Sequence, residues 1–198
     1  MKTIRSLILP FVAIVLASSV FAQTAAAPVK PAVVPGRKSP HETVSAFIGG
    51  RPLGHLVTVT YGRPYTKDPK TGEPRKIWGG LVKWDKADRL GADEATLLLT
   101  HSPLVVGATT IPAGAYTLYL VPSESGTSRL ALSTHIGKWG VPVDETHDLV
   151  RLDLKKESLA TPVDQLTIVV ENETSTGGGI LRIRWESTEY SLSFTVAK

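Results

Sequence analysis

The segment Tyr190-Ser191-Leu192-Ser193-Phe194-Thr195-Val196 alternates without a break between apolar and polar residues. Successive Cβ atoms of an extended chain point to opposite sides, so Tyr190, Leu192, Phe194 and Val196 share one face and Ser191, Ser193 and Thr195 the other. The stretch therefore predicts a β-strand with a dry side and a wet side. The same period of two recurs upstream. Val57, Val59 and Tyr61 oppose Thr58 and Thr60, and Tyr116, Leu118 and Leu120 follow the turn Pro112-Ala113-Gly114. Leu130 and Leu132 oppose Arg129 and Ser133, and Val150, Leu152 and Leu154 oppose Arg151 and Asp153. Leu166, Ile168 and Val170 form another set, as do Leu181, Ile183 and Trp185 with Arg182 and Arg184 outward. Strands with one dry face need a second sheet to cover them. Parallel strands would be apolar on both faces, and no window carries a helical period. The expected fold is all-β: a single antiparallel β-sandwich, immunoglobulin-like or transthyretin-like in general architecture.

One stretch breaks the rhythm. Residues 62–94 contain prolines, glycines, Trp78, Trp84, Arg63, Arg75 and Arg89, with only a short strand signal near Ile77 and Trp78. Loops of this length inside a compact domain carry function more often than most segments. The plainer expectation is an irregular flap pinned to a sheet by its two tryptophans.

The order of motifs is also informative. Ser39-Pro40-His41 is followed by Tyr61-Gly62-Arg63-Pro64, then by Arg75-Lys76-Ile77-Trp78-Gly79-Gly80-Leu81. Next come Arg89-Leu90-Gly91-Ala92-Asp93-Glu94-Ala95-Thr96 and Ile111-Pro112-Ala113-Gly114-Ala115-Tyr116-Thr117-Leu118, then Trp139-Gly140, Asp148 to Arg151, and Trp185. In this order the chain resembles, over nearly all of residues 39–196, a family of exported bacterial proteins catalogued as domain of unknown function number 2911. The resemblance implies export, a bacterial source and one β domain, and it brings no activity. That family usually has Trp before the arginine at 89 and Asn at 93, where this chain has Asp88 and Asp93. A pocket shaped by those positions would be more acidic here. Residues 112–118 are also similar to the turn that opens a strand in transthyretin-like and carboxypeptidase-regulatory modules, where Pro presets φ and Gly permits the tight turn.

The N-terminus predicts the compartment. Lys2 and Arg5, an apolar run from Leu7 to Ala17, and the small-residue stretch ending Val20-Phe21-Ala22 make a secretory signal over residues 1–22. The run is too short to span a bilayer comfortably, so no integral membrane segment is expected after cleavage, and the product is placed in the periplasm or outside the cell. The Ala- and Pro-rich residues 23–38 read as a tether, and residues 39–198 as the domain. The chain has no cysteine, so disulfides are excluded and stability must come from the core. Removing residues 1–22 takes away Lys2 and Arg5 and no acid, which lowers the formal charge from +4 to +2. With no basic block in the sequence, nucleic acid is not an expected partner.

Chemistry is only faintly signalled. There is no G-x-S-x-G or S-x-x-K motif, and His41-Glu42 begins an H-E-x-x-H pattern that fails at Ser45. His41, His55, His101, His135 and His147 lack short ligand spacing, and Asp85, Asp88, Asp93 and Glu94 match no calcium loop. No metal or cofactor is expected on these grounds. Asp93 and Glu94, taken as the start of a strand, should point to opposite faces, whereas Asp88 and Asp93 could converge. The candidate ligand-binding set is Tyr61, Arg63, Arg75 and Arg89 with Asp93 and Glu94. Arginines around an irregular flap can hold a carboxylate, phosphate or sugar by bidentate contacts, or can pair internally and pin the flap. The favoured reading is a non-catalytic exported binding or interaction module for a small anionic or carbohydrate ligand. A hydrolase acting on glycans or envelope material through loop carboxylates, and a purely structural module, are the alternatives.

Overall fold

The computed structural model of the chain describes residues 37–51, 54–173, 175 and 177–197. The expected signal segment, and the expected tether up to residue 36, lie outside the described residues. Ten strands follow one another: β1 (His41–Ile48), β2 (His55–Gly62), β3 (Thr96–Thr100), β4 (Leu104–Val106), β5 (Thr109–Ile111), β6 (Gly114–Val121), β7 (Arg129–Ser133), β8 (Asp148–Asp153), β9 (Lys155–Glu173) and β10 (Gly178–Val196). Between β7 and β8 lies a single 3₁₀ turn, Glu145–His147. The strands pair antiparallel in two sheets, ordered β1-β2-β3-β6-β7-β8 and β5-β4-β10-β9. No helix among the described residues is long and apolar enough to cross a membrane. The fold is an antiparallel β-sandwich.

Its core is built from the alternating sets. Val57, Val59, Tyr61, Leu118, Leu120, Leu130, Leu132 and Leu152 of the larger sheet meet Leu166, Ile168, Leu181, Ile183, Tyr190, Leu192 and Phe194 of the smaller. The two apolar runs near the C-terminus belong to one strand. Their phase changes from odd positions up to Trp185 to even positions from Tyr190, and β10 accommodates the slip by irregular register around Glu186, whose φ is 53°.

Alternation fails in one respect. Ser193 and Thr195 are exposed, but Ser191 is buried at 6%. The period assigns a side chain to a side of the strand and does not say whether that side is open. Glu189, on the same side, is also buried, with its carboxylate held by Arg182 and Arg184, each at 2.5 Å. That side of β10 is covered over Glu189–Ser191 and opens only at Ser193.

The sheets are tied along one edge. The Tyr61 hydroxyl accepts the Ile168 N–H at 2.8 Å and donates to Glu42 Oε2 at 2.7 Å. Beyond β2, Leu166 N–H donates to Pro64 O at 3.0 Å and Thr66 N–H to Asp164 O at 2.8 Å. At the other edge, only Leu154 separates β8 from β9. Thus β9 leaves the β8 edge of the six-stranded sheet and fastens to β2 and its tail, beside the β1 edge.

The flap packs as well as covers. Ile77, Val82 and Leu90 are buried in the core. Trp78 stacks on Trp84 with centroids 6.1 Å apart and lies edge-on to Trp185 at 6.3 Å and Tyr190 at 5.3 Å. Ile77 and Trp78 form no strand of their own: Trp78 makes an isolated bridge to Val82 within a turn.

Candidate functional site

The outer face of the six-stranded sheet, expected to be wet, is covered over β6 and β7. The register places Thr60, Leu97, Thr117, Ser133 and Asp148 in one row, with Tyr119, Ala131 and Arg151 in the next. Ser133, Ala131 and Tyr119 are nonetheless buried. The cover is the segment of residues 134–147. Thr117 Oγ1 donates to His135 O at 2.9 Å, and Ala95 N–H donates to Lys138 O at 3.1 Å. Gly140 has φ 81°, and a Cβ there would lie 2.9 Å from Ala95 Cβ and 3.1 Å from Arg89 Cβ, so a side chain would push the segment off the sheet. Small floor residues and a glycine in the cover let the two approach closely. They leave a hollow of about 290 Å³, walled by Arg89, Tyr119, His135, Lys138, Trp139 and Asp144.

Side chains at one end of this hollow are tightly networked. Asp144 Oδ1 accepts the Thr146 N–H at 3.1 Å and the Thr146 hydroxyl at 2.5 Å. Asp144 Oδ2 lies 3.2 Å from His135 Nδ1 and 3.0 Å from His147 Nδ1. The Thr146 bonds, with the neighbouring imidazoles, hold the Asp144 carboxyl at about 2. Beside them, Tyr119 donates to Asp148 Oδ2, which also accepts Arg151 Nε–H at 2.7 Å. Burial, with help from Asp148, raises the Tyr119 phenol.

A second hollow of about 290 Å³ lies beneath the flap, where Tyr65, Arg75, Asp88, Arg89 and Val141 surround Trp185. Two of its lining residues each carry a buried donor without a partner, Arg75 Nε and Trp185 Nε1. Trp185 is only 4% exposed. The other end of the Arg75 guanidinium is fixed, since Nη2 donates to Tyr65 O. Burial pushes the Asp88 carboxyl up, against the opposing pull of the Leu90 N–H that Asp88 Oδ1 accepts at 3.0 Å.

Arg89 lines both hollows. Its Nε donates to Gly91 O at 3.1 Å, and its Nη1 donates to Asp93 O at 2.7 Å and Trp139 O at 3.4 Å, with the guanidinium 5.7 Å from the Trp139 ring. Arg75 therefore joins Arg89 in one hollow. Arg63 is turned elsewhere: Nε donates to Leu166 O at 3.1 Å, Nη2 to Thr167 Oγ1 at 3.0 Å, and Glu42 Oε2 is 3.3 Å away. Tyr61 is buried in the tie to β9, its phenol pushed up by burial and by Glu42.

Asp93 and Glu94 do not part to opposite faces as expected. Both reach the same imidazole: His41 Nε2 is 3.2 Å from Asp93 Oδ2 and 3.5 Å from Glu94 Oε2. The strand begins only at Thr96, and Asp93 has φ 64°, in the left-handed region where alternation does not hold. Arg37, at the end of the expected tether, also pairs with Glu94. Asp88 lines the hollow beneath the flap while Asp93 faces His41, so the two carboxylates have different surroundings.

No sequence pattern marks the covering segment, because Trp139, His135 and Asp144 have no period and converge only through the fold. The one local signal is the Asp144-to-His147 spacing, which a turn closes.

An antiparallel β-sandwich with an irregular flap on one end and a covered hollow on its larger sheet defines the class of protein. The chain belongs to the family described as a protein of unknown function (DUF2911), whose model matches residues 39–194. No curated protein and no solved structure is detectably similar to it.

Proposed function

We propose that this protein is an exported binding module whose hollow beneath the flap takes a small, acceptor-rich ligand, an organic carboxylate or a carbohydrate, without transforming it. The observation that carries the reading is that two residues lining one hollow, Arg75 and Trp185, each hold a buried donor without a partner, Nε and Nε1. A buried donor without a partner costs about 1–3 kcal/mol, and an incoming oxygen recovers that cost. Arg89 adds a fixed cationic group to the same wall, while Tyr65 and Trp185 supply aromatic surface. The proposed site thus keeps Arg75 and Arg89 of the expected set. Tyr61 and Arg63 support the seam with β9, and Asp93 and Glu94 support His41.

A glycoside hydrolase of the two-carboxylate kind needs a second carboxylate roughly 5–10 Å from the first. Asp88, whose carboxyl is raised by burial, would be one, but Asp93 is engaged by His41. The binding reading is therefore preferred.

The test is a thermal-shift panel of organic acids and saccharides on the wild type and on Trp185→Phe and Arg75→Met. A ligand at 100 times its Kd stabilises the native state by about 2.7 kcal/mol. The shift should disappear in Trp185→Phe, which removes one N–H and little volume. No shift across the panel, or equal shifts in all three proteins, would refute the reading. Turnover of a bound saccharide that is lost in Asp88→Asn would establish the hydrolase instead.

A further inference from the structure

We propose that His135, Asp144 and His147 hold a divalent transition-metal ion, with zinc the best match, at the wall of the hollow on the outer face of the six-stranded sheet. The inference concerns a different hollow from the ligand site proposed above and stands independently of it.

The geometry makes the case. One ligand atom from each of the three side chains lies within 4.8 Å of the other two. The two Nδ1–Oδ2 separations are 3.2 and 3.0 Å. In a tetrahedral zinc site with bonds of about 2.0–2.1 Å, neighbouring ligand atoms are roughly 3.3–3.4 Å apart. These two edges need to widen by only a few tenths of an ångström to admit the ion. The imidazoles are already gathered, with centroids 4.6 Å apart and planes tilted by 42°.

The ligands sit on braced backbone. His135 lies two residues past the end of β7, its N–H donating to Ser133 Oγ at 3.2 Å and its carbonyl accepting the Thr117 hydroxyl at 2.9 Å. Asp144 caps the 3₁₀ turn that presents His147. Thr134 joins the two segments, its N–H donating to His147 O at 3.0 Å and its hydroxyl to the same oxygen at 3.3 Å. Such bracing lowers the ordering cost of gathering three ligands from two segments.

The donor set selects among metals. Two imidazoles and one carboxylate suit zinc, nickel, copper or iron(II), whereas magnesium and calcium prefer all-oxygen shells. Three protein ligands leave a coordination position open, as in zinc sites that bind water or an exchangeable ligand. His135 and Asp144 are wall residues of the hollow, and all three side chains are partly exposed, so an ion can enter from solvent.

The experiment uses the chain without a polyhistidine tag, stripped with chelator and titrated calorimetrically with zinc chloride alone. One ion per chain is expected, with a rise in Tm on adding zinc and none with magnesium or calcium. His147→Ala and Asp144→Asn should each weaken zinc binding by more than the roughly 10–100-fold that follows loss of an outer-shell partner. Their metal-free circular dichroism should match the wild type. Because a variant can fail to fold, cobalt(II) is also added to the wild type. Tetrahedral d–d absorption, with the His135 and His147 ring signals shifted in NMR, is the expected result. No zinc binding, unchanged affinity in the folded variants, or ring shifts confined to His41, His55 or His101 would overturn the assignment.

Discussion

Replacing Arg89 with alanine should loosen the flap and the covering segment at once. The Nε bond to Gly91 O at 3.1 Å and the Nη1 bond to Asp93 O at 2.7 Å are charge-assisted, and each is worth about 1.5–3 kcal/mol. The 3.4 Å contact with Trp139 O adds little. Arg89 is only half-buried, so water can reach part of what it leaves and the sum is an upper bound. Leu90 and Asp93, both just after it in the chain, are held at φ 56° and 64°, backbone that costs energy and relaxes when the clamp is removed. The expected loss is about 2–4 kcal/mol. With a urea m-value of about 2 kcal/mol/M, the midpoint should fall by roughly 1–2 M. Arg89→Lys should recover less than half, since a point charge cannot reproduce a planar fork that reaches two carbonyls. Equilibrium urea melts followed by tryptophan fluorescence and far-UV circular dichroism would measure the change. A loss below about 0.5 kcal/mol, the range of an ordinary surface substitution, would refute the idea that Arg89 anchors both elements.

Phe194→Ala should cost about 3–5 kcal/mol in the same assay and Ser193→Ala under 0.5 kcal/mol, because Phe194 is buried and Ser193 exposed; equal midpoints would mean that the facing of β10 is wrong. Burial alone would raise the Glu189 carboxyl, but Arg184 and Arg182 outweigh it and hold it below its ordinary 4.5. A depressed folded value contributes stability above about pH 4.5 that is lost as pH falls through the folded value. Stability measured downward from pH 5 should therefore fall less steeply in Glu189→Gln, and identical profiles would remove this ion pair from the acid response. Export predicts an envelope or secreted species whose intact mass corresponds to a chain starting at Gln23, and a product still starting at Met1 would refute it.

The fold was legible wherever burial follows a period of two, and the apolar sets around Val59, Leu118, Ile168, Ile183 and Phe194 all entered the core. It was less legible where tertiary contacts outrank local pattern. Ile77, Val82 and Leu90 reach the core from turns, with no spacing to mark them. Ser133 and Ala131 are small residues on an outward face, and nothing local to them announces the segment that covers it. The candidate site shows the same division. Arg75 and Arg89 were marked by their place in an aperiodic stretch, whereas Trp185 read as an ordinary inward tryptophan. Its unpartnered N–H becomes visible only when the hollow is seen. His135 and His147 are twelve positions apart and meet because a turn closes on the end of β7.

The path of β9 bears on how the domain comes apart. The strand departs from β8 through Leu154 alone, and its Leu166–Ile168 stretch is fastened to β2 and its tail, next to the β1 edge of the same sheet. The strap thus links the β8 edge to the strand beside the β1 edge, and it is itself paired with β10 on both sides of the irregularity at Glu186. Local fraying is thereby suppressed in favour of a single cooperative transition. Amide protons of β1 and β8, at opposite edges, should accordingly exchange with similar free energies, close to that of global unfolding. In a chain without cysteine, the path of the backbone provides a cross-sheet restraint of the kind a disulfide can supply.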